Sequence, residues 1–73
     1  MNNVQTIRKR LGLSQAAFAD AIGVTQGNVS HIERGAQELT LTVARRIKAI
    51  AAERGHPTTL EFICGDTSPQ EAA

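Results

Sequence analysis

The stretch Leu13-Ser14-Gln15-Ala16-Ala17-Phe18-Ala19-Asp20-Ala21-Ile22-Gly23-Val24-Thr25-Gln26-Gly27-Asn28-Val29-Ser30-His31-Ile32-Glu33-Arg34-Gly35 decides the fold. It holds two short runs of helical periodicity separated by Gly23-Val24-Thr25. In the first run Phe18, Ala19 and Ile22 form the apolar stripe. Ser14 stands before it as an N-cap, whose hydroxyl can accept from an otherwise unpaired backbone N–H. Thr25 is placed in the same way before the second run, Gln26 to Arg34, where Val29 and Ile32 are the apolar pair. Gly23 and Gly35 end the two runs. A three-residue break keeps the helices from stacking in line, so they must cross and one can brace the other. Ala19 and Gly23 are small enough to let them approach closely.

On the N-terminal side, Val4, Ile7 and Leu11 recur at helical spacing, and Gly12 closes that segment in the position that tolerates a left-handed backbone. On the C-terminal side, Ala36 to Leu39 reads as a loop. Thr40 caps a fourth helix, Leu41 to about Arg54, with Leu41, Ala44, Ile47 and Ala51 on one face. Gly55-His56-Pro57 breaks it. Pro57 suits the start of a short fifth helix, where its missing N–H is not needed. That helix carries Leu60, Phe62, Ile63 and Cys64 and stops at Gly65. The expectation is an all-α, compact five-helix domain over residues 1–66. Residues 67–73 are small and polar and are expected to form a disordered tail.

The composition narrows the function classes. With 73 residues, the chain makes one domain and buries only roughly 60% of its unfolded surface. That leaves no room for a substrate cleft on a separate scaffold, and no enzyme is expected. Phe18 and Phe62 are the two aromatic residues, so the core must be aliphatic. The single cysteine, Cys64, excludes an intrachain disulfide and is assigned to packing in the core or at a dimer edge. This usage is compatible with a reducing cytoplasm. Neither a signal peptide nor a membrane span is indicated. His31 and His56 have no further ligands clustered with them, so no metal and no cofactor is expected. The net charge is +1, but up to Gly65 there are eight basic residues against five acidic ones. Arg8, Lys9 and Arg10 are consecutive. The balance is mild for a protein that grips nucleic acid by charge.

The free face of the third helix says more. At 100° per residue, Val29 and Ile32 point one way and Gly27, Ser30, His31 and Arg34 the other, with Gln26 at the edge. A bland surface helix more often carries Lys and Glu outward. This face carries small hydrogen-bonding groups that suit base edges in a major groove. Gln can bond adenine N6 and N7 together, Ser reaches several base edges, and a good bidentate pair discriminates by about 1–3 kcal/mol. Gly27 would let a backbone come close to DNA.

The block written as LSQ, FA, IGVTQ, VS, IERG along residues 13–35 resembles the helix-turn-helix of the lambda-repressor-like family, which includes the phage Cro and C1 repressors and the xenobiotic-response-element group. The similarity runs over all five helices, from about Asn3 to Asp66. It implies that Gln26, Gly27, Ser30 and His31 occupy base-reading positions. Gln15, first in the second helix, would bond a DNA phosphate, helped by the helix N-terminus. Thr25, Asn28 and Arg34 would lie near the sugar-phosphate backbone, and Arg10 is a further phosphate candidate. Arg8 matches an arginine that pairs internally with Glu33, which assigns both to structure. Two departures stand out. Relatives often carry basic residues after the helix-three glycine, where this chain has Ala36-Gln37-Glu38. Arg45 and Lys48 replace side chains that are often apolar, so the edge of the fourth helix is expected to pack differently.

The resemblance implies a sequence-specific regulator of transcription, a small Cro-like repressor of double-stranded DNA. It would bind a pseudo-palindromic operator as a two-fold dimer with half-sites about one helical turn apart. The homodimer is expected to be weak or DNA-assisted, through Phe62 and Ile63 of the fifth helix. No small-molecule ligand and no membrane partner is expected. The alternative is an antitoxin or a helical protein-interaction module, favoured by the missing basic loop after Gly35.

Overall fold

The computed structural model describes residues 2–65, and these form five helices: α1 Val4–Arg10, α2 Gln15–Ile22, α3 Gln26–Glu33, α4 Leu41–Glu53 and α5 Leu60–Cys64. The tail expected over 67–73, and Asp66 before it, lie outside the described residues. No strand occurs among the described residues, so the fold is all-α.

The helix starts follow local chemistry. Ser14, Thr25 and Thr40 each accept a hydrogen bond from the backbone N–H three residues on, at 3.1, 3.1 and 3.3 Å. Thr59 does the same for Phe62 at 3.1 Å, so α5 starts at Leu60. This corrects the expectation that Pro57 opens α5. The hydroxyl of Thr59 supplies a cap that Pro57 has no side chain to supply.

The core joins all five helices. Val4 and Ile7 come from α1, Phe18, Ala19 and Ile22 from α2, and Val29 and Ile32 from α3. Ala44, Ile47 and Ala51 of α4 and Ile63 of α5 complete it. Helix α2 packs on α3 and α4, while α5 lies against α4 and α1. Leu41 departs from its expected place on the core face and is 53% exposed. At 100° per residue, the stripe Ala44-Ile47-Ala51 is centred roughly 90° away from it. Leu39, in the preceding loop, packs against the core partly buried. Arg45 and Lys48 are exposed and take no part in the packing of α4.

Two asparagines close the molecule. Asn3 Nδ2 donates to the carbonyls of Phe62 and Gly65, both at 2.7 Å, and its N–H reaches Ile63 O at 3.3 Å. Asn2 Nδ2 donates to Ile32 O at 2.9 Å, while its Oδ1 accepts from Val4 N at 3.1 Å. The residues just before α1 thereby tie down carbonyls at the C-terminal ends of both α3 and α5. Neither asparagine stands out in the sequence.

Candidate nucleic-acid interface

The turn between α2 and α3 is tightly specified. Gly23 has φ +75°, in the left-handed region, and Val24 N donates to Ala19 O at 2.9 Å. Arg46, on α4, reaches across and donates from Nη1 to Ile22 O at 3.2 Å. A guanidinium at the C-terminal end of α2 also meets the negative end of the helix dipole. A Cβ on Gly23 would stand 3.0 Å from that Nη1, the flexible end of a side chain that can shift, so the glycine answers chiefly to backbone conformation. Sequence reasoning misses Arg46 because its partner lies 24 residues earlier and is a backbone carbonyl.

Thr25 starts α3, and Val29 and Ile32 are buried at 1% and 2% exposure. Gln26, Gly27, His31 and Arg34 are exposed, and Asn28 and Ser30 are half-buried. The outward face of α3 thus presents the expected groups. Gly27 is in helical conformation, and an added Cβ would meet only Thr25 Oγ1 at 3.9 Å. Nothing within the described residues requires glycine there. After α3, Gly35 at φ +76° turns the chain so that Ala36 and Gln37 both donate to His31 O, at 2.8 and 3.2 Å. Ala36, Gln37 and Glu38 are exposed and bring no positive charge to this edge.

Behind α3 lies a polar cluster. Arg8 Nε stands 2.6 Å from Glu33 Oε2, and Arg8 Nη2 stands 3.3 Å from Glu33 Oε1. Arg8 Nη1 donates to Leu13 O at 2.8 Å. The Glu33 side chain is 3% exposed and that of Arg8 12%, so this ion pair is largely withdrawn from water. A bidentate guanidinium suits a buried carboxylate because two parallel bonds fix the geometry as well as the charge. Gln15 joins the cluster, its Nε2 donating to Glu33 Oε1 at 3.1 Å. One carboxylate at the end of α3 therefore holds α1 and the first residue of α2. The Gln15 bond could not be read from spacing, since 18 residues separate the partners.

Two expectations change at α5. Ile63 is 0% exposed and belongs to the core, so its side chain is not available to a second subunit. In a five-residue helix the buried face is set by what packs on it, and here α1 and α4 claim Ile63. Phe62 is half-buried, and the Arg10 guanidinium lies over its ring at 5.4 Å from the centroid, a cation–π contact. Arg10 is 200° around α1 from Arg8, so it faces α5 and stands apart from the Glu33 cluster. The position expected to meet phosphate and the one expected to meet a partner subunit share one surface.

Among the described residues there is no cluster of metal-ligating side chains, and no helix is long and apolar enough to cross a membrane. An open groove lies between α2 and α4, lined by Ala21, Ala49 and Ile50 with Arg46, Glu53 and Arg54.

Comparison with known proteins agrees with this geometry. The helix-turn-helix family profile matches residues 4–49, which spans α1 to most of α4. No curated protein and no solved structure matches the chain significantly. With a capped helix pair, a glycine turn and a matching profile over more than half its length, the chain belongs to the Cro/C1-type, lambda-repressor-like helix-turn-helix family of DNA-binding transcription regulators.

Proposed function

We propose that the protein is a sequence-specific regulator that binds double-stranded DNA with α3 in the major groove, acting as a small Cro-like repressor on a pseudo-palindromic operator. The observation that carries this reading is Gly27. Gly27 is the second residue of α3, where glycine lowers helix stability by up to about 1 kcal/mol relative to alanine, and the open space around it gives no intramolecular reason for it. Close approach of a partner surface gives one. Its neighbours on the exposed side, Gln26, Ser30 and His31, are hydrogen-bonding groups of the kind that read base edges. Gln15 is the phosphate donor at the start of α2, and Thr25, Asn28 and Arg34 flank the sugar-phosphate backbone. Arg10 is left out, because it is engaged with Phe62 on another side of α1.

Selection from random duplexes tests this directly. The expected result is an enriched motif with two-fold symmetry and half-sites about 34–36 Å apart centre to centre. Gln26→Ala and His31→Ala should each reduce affinity and relax preference at one base pair. No enriched motif, with affinity unchanged in both variants, would overturn the reading. A protein-interaction module would give that outcome. With Ile63 in the core, the dimer contact is expected to be small and assembled on DNA, with Phe62 at its edge. Sedimentation at nanomolar protein should show a monomer alone and two chains per operator.

A further inference from the structure

Glu33 carries more than an ion pair. A carboxylate only accepts hydrogen bonds, so the Gln15 amide must turn its nitrogen, not its oxygen, toward it. The bond from Gln15 Nε2 to Glu33 Oε1 uses one of the two N–H groups. It leaves one N–H and the carbonyl oxygen for other partners. Without that bond the amide could rotate by 180° and present its oxygen to a phosphate, which repels it. Arg8 completes the arrangement by neutralising Glu33 through two bonds, so the carboxylate can sit behind Gln15 without repelling an anion.

We infer that Glu33 is a positioning residue for DNA binding: it selects the orientation of the Gln15 amide in which an N–H is free for a backbone phosphate, while Arg8 screens its charge. This rests on the proposed function, since it concerns how a phosphate donor is held. It differs from a purely structural role in one measurable way. A structural ion pair changes affinity, if at all, whether or not Gln15 is present. A positioning carboxylate acts only through Gln15.

The test is a double-mutant cycle of Glu33→Gln and Gln15→Ala on the full chain, read as affinity for the selected duplex, with folding checked by circular dichroism and thermal melting. The amide introduced by Glu33→Gln can turn either way, so it no longer dictates how Gln15 faces. Removing a hydrogen bond to a charged acceptor is expected to lower affinity by about ten-fold or more. Gln15→Ala should show a loss of this size. Glu33→Gln should show a part of it in the native background and none in the Gln15→Ala background. The salt slope should stay unchanged for Gln15→Ala, because a neutral Gln15 side chain releases no counterion. Equal losses from Glu33→Gln in both backgrounds overturn the inference while leaving the DNA-binding reading intact. Failure of the native chain to bind any duplex overturns both. If Glu33→Gln does not fold, the side-chain amide of Gln15 is followed by NMR in the native protein. One Nε2 proton that is hydrogen-bonded in the free protein, together with a second that shifts when duplex is added, supports the inference. A Gln15 amide with neither proton hydrogen-bonded in the free protein overturns it.

Discussion

The inner side of the α2–α3 pair and the outward face of α3 differ in what their residues do for the chain itself. On the inner side and in the turn that joins the pair, Arg8, Glu33, Gly23 and Thr25 each meet a demand made by the fold: a buried charge, a left-handed backbone, an open helix end. On the outward face, Gln26, Gly27 and His31 are exposed, and the space around Gly27 is open. Residue choice on the first side is explained by stability. Choice on the second is not, and a glycine in helical conformation runs against stability. The contrast teaches where to look for function in a small helical domain: among residues that the fold tolerates but does not require.

Four substitutions can break or sharpen that contrast. Arg8→Ala should have the largest effect, because it strands the buried Glu33 carboxylate. Removing one partner of a buried pair costs about 3–5 kcal/mol, a large share of the stability of so small a domain, and urea unfolding should show it. A loss below about 1 kcal/mol, well under that cost for a buried pair, would mean that Glu33 is solvated and that the inner side is less demanding than its geometry indicates. Next comes Gly23→Ala, at about 1–2 kcal/mol for a left-handed alanine, with the Arg46 bond to Ile22 O displaced as well. Thr25→Ala removes the α3 cap and should cost about 1 kcal/mol, a fall in Tm of about 4–8 °C for a domain of this size. Gly27→Ala should change stability least, raising it by up to about 1 kcal/mol, while weakening binding to the selected duplex. A lower Tm for Gly27→Ala would erase the contrast, since the glycine would then have an intramolecular reason.

Much of this fold is legible because its signals are local. Three of the four side-chain N-caps, Ser14, Thr25 and Thr40, and the stop at Gly23 depend on residues within one turn of each other. The apolar stripe of α2 and the pair Val29 and Ile32 follow from the helical repeat alone, and so does the outward placement of the candidate reading residues. Leu41 shows the limit of that method. Spacing groups it with the α4 stripe, but the repeat puts it off to one side, and Leu39 is close enough to pack instead. Phe62 and Ile63 show another. A helix of five residues has too little periodicity to declare which of two adjacent apolar side chains is buried.

By itself, the sequence determined five helices, their main caps, the glycine turn and the polar character of the α3 face, because each is settled by neighbours within a few residues. Only the tertiary structure decided which polar groups close those helices to one another. Asn2 reaches across 30 residues to Ile32, Asn3 across 59 and 62 to Phe62 and Gly65, Arg46 across 24 to Ile22, and Gln15 across 18 to Glu33. Such bonds leave no spacing pattern, because most of the acceptors are backbone carbonyls that every residue carries. They exist only once apolar packing has brought the helix ends together and shut those carbonyls away from water, where an unpaired polar group is costly.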